Sequence, residues 1–110
     1  MFDIMNIMSK VKEAQAKIKE KQEQLVYLTT EAESGAGMVK VKVNGHRRVV
    51  DITVDDSLVN LDDKEMLKDL IVAATNKALE EMDQMVKVEM KKATEGMMPN
   101  IPGMDLGNMF

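Results

Sequence analysis

Apolar residues recur at heptad spacing through about residues 3–29 of the chain. Two series share this spacing: Ile4, Val11, Ile18 and Leu25 form one, and Ile7, Ala14 and Leu28 form the other. Neither Pro nor Gly interrupts the segment, and good helix formers fill the positions between the apolar ones. The pattern predicts one long helix with a seam that fits another helix.

The hydrophobic period changes to two after the turn-forming segment 34–37. Valines then alternate with polar residues over 39–44, which predicts a strand, and Asn44-Gly45 is typical of a hairpin turn. The return strand is predicted over 47–54, and residues 29–33 add a short strand before the turn. The predicted buried face of the return strand holds Val50, Ile52 and Val54.

A second long helix is predicted from about Asp63 to Ala93, after a connector that ends near residue 61. Asp62 and Glu65 have the spacing of an N-cap and its capping box. The apolar face consists of Leu67, Leu70, Ile71, Ala74, Ala78, Met82 and Met85. Because Gly96 ends the pattern, we expect a single domain over residues 1–96 and a flexible Met/Pro/Gly tail over 97–110.

These elements predict an α+β fold with the order α-β-β-β-α, in which a small antiparallel β-meander separates the two long helices. Two amphipathic helices and one small sheet do not close a core within one chain. We therefore predict a homodimer. Its interface is predicted to hold the first heptad series, Ile4, Val11, Ile18 and Leu25.

The composition disfavours enzymes and metal proteins. The chain has no Cys, one His and three aromatic residues, which leaves no thiolate or multi-histidine metal site and few rings to line a pocket. We expect no catalytic residue, cofactor or small-molecule substrate. No stretch has the length and apolarity of a membrane span and the N-terminus does not resemble a signal peptide, so we expect a cytoplasmic protein without membrane contact.

The net charge is −4, and the acidic excess lies in residues 62–110, where the second helix is expected to carry most of it. The basic residues concentrate on the first helix and around the hairpin. Lys10, Lys17 and Lys21 share one helix face, and Lys12 and Lys19 are predicted on an adjacent one. This distribution fits a phosphate-binding surface and a solvated helix surface equally well.

Five sequence strings carry a specific resemblance. They are ESGAGMVKV at 33–41, VNG at 43–45, RRV at 47–49, DSL at 56–58 and DKEMLKDL at 63–70. In order and spacing the chain is similar to the YbaB/EbfC family of bacterial nucleoid-associated proteins. The resemblance implies a cytoplasmic, non-enzymatic protein that binds DNA in the nucleoid as a tweezer-like homodimer. The chain departs from many relatives in its short turn at 44–46 and in having Asp56 rather than Pro before Ser57.

Two functions follow as hypotheses. The first is binding of duplex DNA with little sequence preference through phosphate contacts, with a role in nucleoid organisation or gene regulation. From charge placement, the residues predicted to contact DNA are Lys10, Lys12, Lys17, Lys19, Lys21, Lys40, Lys42, Arg47 and Arg48. The alternative is a coiled-coil interaction module, such as a prefoldin-like chaperone or adaptor, that does not bind DNA.

Overall fold

A computed structural model of the chain describes residues 4–59 and 62–95. The helices are α1 (Ile4–Gln24), α2 (Asp56–Val59) and α3 (Lys64–Thr94), and the strands are β1 (Thr29–Ser34), β2 (Val39–Asn44) and β3 (Val49–Val54). The order β1-β2-β3 forms one antiparallel sheet. The predicted α-β-β-β-α architecture is therefore confirmed.

Helix α1 ends earlier than its apolar pattern predicts. Gln24 is its last residue, and a single 3₁₀ turn, Leu25–Tyr27, follows it. The amide of Leu28 donates to the carbonyl of Leu25 at 3.1 Å, and Leu28 itself has extended backbone angles. The β-branched pair Thr29 and Thr30 then favours a strand, and the first strand begins at Thr29, where the short strand was predicted.

One face of the sheet packs against α3. Val39, Val41 and Val43 of β2 are fully buried there, beside Ala32 of β1. Two polar groups on β1 also reach the helix: the Ser34 hydroxyl donates to the carbonyl of Leu70 at 2.5 Å, and the Thr30 hydroxyl donates to Glu81 at 3.3 Å. These bonds fix the helix against the first strand as well as the second.

Helix α3 approaches the sheet closely because small residues lie on its buried face. Ala74 and Ala78 are fully buried, and Met82, Val86 and Met90 continue the face toward the C-terminus. The predicted apolar face is therefore largely confirmed. The predicted N-cap is one residue early, because Asp63 and not Asp62 caps the helix, accepting from the Met66 amide at 3.0 Å.

Strand β3 differs most from its prediction. Val49, Val50 and Ile52 remain 45%, 49% and 44% exposed, so the prediction that Val50 and Ile52 are buried is wrong within one chain. Ile52 pairs with Val41 and points to the helix side of the sheet, but α3 lies over β1 and β2 and leaves the third strand uncovered. Val50 is the extra residue where the register shifts, between the pairs Lys42–Asp51 and Val43–Val49.

The β2–β3 turn is anchored by backbone contacts to the segment that follows α1. The Gly45 amide donates to the carbonyls of Leu25 and Leu28, at 3.0 and 2.9 Å. Asn44 organises the turn, since its side-chain oxygen accepts from the amides of His46 and Arg48. The left-handed residue of this turn is Arg47, with φ of 59°, and not Gly45. Glycine is required at position 45 by close approach instead.

The connector after β3 contains a short helix that the sequence pattern does not predict. Asp55 starts it by accepting from both the amide and the hydroxyl of Ser57, at 2.9 and 2.6 Å. These bonds lower the pKa of the Asp55 carboxyl. Helix α2 places Leu58 in the core, where it is fully buried.

Candidate nucleic-acid interface

Helix α1 and the last third of α3 lie side by side and antiparallel. Lys21 forms a 2.9 Å ion pair with Glu89, while Leu25, four residues further along the chain, lies beside Val86 and Met90. Moving forward along α1 thus means moving backward along α3. We call α1 together with residues 84–94 the arm.

The arm is basic although the whole chain is acidic. It contains eight lysines and four glutamates, a net charge of +4, in a chain whose total is −4. All other residues together therefore carry −8. The sequence prediction that the second helix carries most of the acidic excess is wrong, because α3 holds six basic and six acidic residues. Its N-terminal part is acidic and its C-terminal part is basic.

The lysines of α1 form two rows. At 3.6 residues per turn, Lys12 and Lys19 lie about half a turn from Lys10 and Lys17. They flank the apolar seam from its other side and do not form an adjacent row as predicted. All four are exposed. Within residues 4–59 and 62–95, none of the four has a carboxylate within ion-pair distance.

Two of the predicted DNA-contacting residues are committed to contacts within the chain. Lys21 pairs with Glu89, and this hydrogen bond and charge lower the pKa of the Glu89 carboxyl. Arg47 Nε donates to Asp83 Oδ1 at 2.7 Å, which ties the β2–β3 turn to α3. The first contact joins the two helices of the arm and the second joins the turn to α3, so part of the charge of Lys21 and Arg47 is already neutralised.

The predicted strand lysines lie on the sheet face opposite α3, which we call the outer sheet face. Lys40 is the register partner of Glu33 and Thr53, and Lys42 is the register partner of Glu31 and Asp51. Cross-strand partners of opposite charge attract each other and leave little net field. That Lys40 and Lys42 contact DNA remains a prediction. The same holds for Arg48, which is exposed.

Three further lysines belong to the basic arm but are not among the DNA contacts predicted from the sequence. Lys87, Lys91 and Lys92 of α3 are exposed and belong to the arm. Lys92 lies 3.8 Å from Glu89, which also pairs with Lys21. Lysines in a last helical turn are ordinarily explained by the helix dipole. Only the contact between α1 and α3 places them in the same arm as the α1 lysines.

The four residues predicted at the dimer interface lie in two different environments, the core and the surface. Leu25 lies in the core of its own chain and Ile18 packs against that core, whereas Ile4 and Val11 are exposed. The assignment of these four residues to a dimer interface remains a prediction. The predicted tail, residues 97–110, lies outside the described residues.

Two further features of the described residues bear on function. His46 is exposed, and its Nε2 lies 2.7 Å from the carbonyl oxygen of Gln22, so the Nε2–H tautomer donates there. Over residues 4–59 and 62–95, no helix combines the length and apolarity required to cross a bilayer.

Known proteins are similar to this chain in sequence, and one solved structure is similar to it in fold. The chain is 42% identical over 103 residues to a nucleoid-associated protein of Thermoanaerobacter pseudethanolicus, covering 94% of this chain and 91% of that one. It is 44% identical over 105 residues to a nucleoid-associated protein of Syntrophobacter fumaroxidans, covering 96% and 94%. The crystal structure of an uncharacterized protein, HP0035 of Helicobacter pylori, matches with a TM-score of 0.69 and 25% identity, covering 80% and 92%.

The family profile agrees with these relatives. The pattern of the YbaB/EbfC DNA-binding family matches residues 1–97, which include both long helices and the whole sheet. The resemblance of the loop and hairpin strings is thereby confirmed over nearly the full chain. This chain belongs to the YbaB/EbfC DNA-binding family.

Proposed function

We propose that this protein binds duplex DNA through the phosphate backbone, with little sequence preference, and that the arm is its contact surface. The observation that carries the proposal is the charge separation, +4 on the arm against −8 on all other residues. A polyanion is attracted by the arm and repelled by the remainder, so the charge distribution alone selects the contact face. In the cell the protein organises DNA in the nucleoid.

The side chains of the arm favour phosphate contacts over base reading. Its basic residues are all lysines, and no Arg occurs in residues 4–24 or 84–94. Bidentate Arg contacts to guanine are the commonest specific contact in the major groove. Lysine ammonium groups act as point charges on phosphate, and displacement of counterions then drives binding.

The protein acts as a homodimer in this proposal. Val49, Val50 and Ile52 of β3 present an apolar surface that α3 leaves uncovered, and a second copy that packs there removes it from water. Two arms then extend from one dimer, and their combined charge doubles the phosphate contacts. Sedimentation of the wild type and of Ile52→Lys tests this step, because only the wild type should sediment as a dimer.

DNA binding is tested by measuring the affinity at a series of salt concentrations. Fluorescence anisotropy gives the affinity for each of two unrelated duplexes of equal length. The variant K12Q/K19Q removes two lysines from the arm, and K64Q/K68Q removes two from the distant start of α3. Each lysine that contacts phosphate contributes about 0.9 to the slope of log K against log salt concentration. Because both arms of the dimer lose two lysines, the arm variant should lower the slope by about 3.6 on both duplexes, and the α3 variant should leave it unchanged.

Other results would contradict the proposal. Equal slope losses in the two variants would mean that overall charge and not the arm governs binding. A large preference of the wild type for one duplex would mean that base edges are read. Absence of binding at low salt, together with suppression of aggregation of a denatured client protein, would favour the chaperone alternative. Circular dichroism of each variant confirms that the fold is retained.

A further inference from the structure

The apolar seam of α1 continues beyond the residues that α3 covers. Ala14 is 3% exposed in the seam, whereas Val11, Ile7 and Ile4 are 40%, 47% and 67% exposed. Exposure thus rises steadily toward the N-terminus along one face of one helix. We call Ile4, Ile7 and Val11 the stripe.

The cover ends because α3 ends. The two helices are antiparallel, and the last residues of α3, Met90 and Thr94, are still buried. Helix α3 stops at Thr94, and Glu95 has extended backbone angles. From the pairing of Lys21 with Glu89, the antiparallel spacing places Ala14 opposite the end of α3. The stripe lies past that point, beyond the end of α3.

We propose that the stripe is the docking site of the chain's own C-terminal segment, residues 97–104. This segment begins two residues after Glu95, and it has the required composition. Its larger apolar residues are Met97, Met98, Ile101 and Met104, and no charged residue occurs between Glu95 and Asp105. A segment this long reaches about 25 Å when extended, and the stripe spans about 10 Å along the helix axis.

Charge favours this occupant over a second copy of the stripe. Each α1 helix carries five lysines and three glutamates, a net charge of +2, so two α1 helices placed side by side would repel each other. The uncharged segment 97–104 covers the apolar surface without adding charge. Methionine suits an irregular surface of this kind because its side chain is flexible and polarisable. The two prolines disfavour continuation of α3 as the means of covering it.

The absence of cysteine from the chain permits a direct test by disulfide cross-linking. Val11→Cys is combined in turn with Met98→Cys, Ile101→Cys and Met104→Cys in the full-length protein. The matched control pairs the same tail positions with Ser9→Cys, which lies on the exposed face of α1 opposite the stripe. Oxidation is followed on non-reducing gels and by mass spectrometry of the cross-linked peptides.

We expect at least one Val11 pair to form a disulfide within a single chain, at least tenfold faster than the corresponding Ser9 pair. A disulfide between two Val11→Cys chains would show that a second copy occupies the stripe and would overturn the proposal. Cross-linking between a chain bearing only Val11→Cys and one bearing only a tail cysteine would also overturn it, because the segment would then dock on another copy. Equal rates for the Val11 and Ser9 pairs would mean that no docking occurs.

A second measurement uses the full chain without cysteines. Ile7→Ser and Ile101→Ser are made singly and together, and the urea midpoints of the variants are compared. If the two side chains share one contact surface, the double variant should lose less than the sum of the single losses. Additive losses would contradict the contact. Neither measurement uses DNA, so failure of this inference leaves the proposed DNA binding untouched, and the reverse also holds.

Discussion

Substituting Gly45 by Ala should destabilise the protein more than any other Gly→Ala change in its described turns. A Cβ atom at position 45 would lie 2.4 Å from the carbonyl oxygen of Leu25 and 2.8 Å from its Cβ. The nearest atom is backbone, so no side-chain rotation relieves the clash. The turn must move away from the 3₁₀ segment, or that segment must move with α1.

The movement also weakens hydrogen bonds. The Gly45 amide is shared between the carbonyls of Leu25 and Leu28, and the residue is buried. Overpacking of this kind costs about 1–3 kcal/mol, and a buried amide that loses its partner costs a further 1–3 kcal/mol, roughly. Reduced entropy of the unfolded chain offsets about 0.4–1 kcal/mol. We expect a net loss of about 2–4 kcal/mol from these terms.

Urea unfolding at one fixed protein concentration measures this loss, since the stability of a dimer depends on concentration. Gly37→Ala is the matched control. Its Cβ would meet only a Glu33 side chain at 3.5 Å, although the φ of 87° adds the cost of a left-handed alanine. That cost is about 1–2 kcal/mol. A loss at Gly45 no larger than the loss at Gly37, with an unchanged m value, would refute the close-approach argument.

Three further predictions concern local contacts. Asp63→Ala should lower the free energy of unfolding by about 1 kcal/mol, measured in urea, because the Met66 amide loses its cap. Ala36→Gly should raise the thermal midpoint, because Ala36 holds a φ of 55° that glycine adopts without strain. Lys21 lowers the pKa of Glu89, so its stabilising effect is present above the unfolded pKa of about 4.3 and is lost as the pH falls through the folded value. The difference in urea midpoint between wild type and Lys21→Gln should therefore be smaller at pH 3 than at pH 7.

The hydrophobic periodicity of the sequence correctly predicted the strand and the helix whose apolar face is fully covered. The alternating valines of β2 and the apolar face of α3 are buried as predicted, because each is covered within the same chain. The same reasoning failed for β3, whose apolar residues alternate equally well. A pattern reports that a face is apolar but not which neighbour covers it, and here the helix is too narrow to reach the third strand.

The basic surface was predicted incompletely from the sequence for a related reason. Counting charges by segment treats α3 as one unit, although its two ends lie in different surroundings. Lys91 and Lys92 join the arm only because α1 folds back beside them, and Lys42 loses effect only because Glu31 and Asp51 are its cross-strand partners. Both facts depend on pairing between distant segments, which no local pattern contains.

The net charge of −4 is compatible with DNA binding because the acidic residues around the start of α3 are remote from the arm. Asp62 and Glu65 lie at the start of α3, and Glu65 is about 33 Å from Lys87 along the helix axis. The screening length is about 8 Å at physiological ionic strength, so these carboxylates scarcely affect a phosphate at the arm. Glu13 and Glu20 lie on α1 among its lysines. The variants D62N/E65Q and E13Q/E20Q raise the net charge equally, yet only the second should tighten DNA binding at physiological salt. Equal tightening in anisotropy titrations would mean that the total charge of the protein, and not the local field of the arm, controls its affinity for DNA.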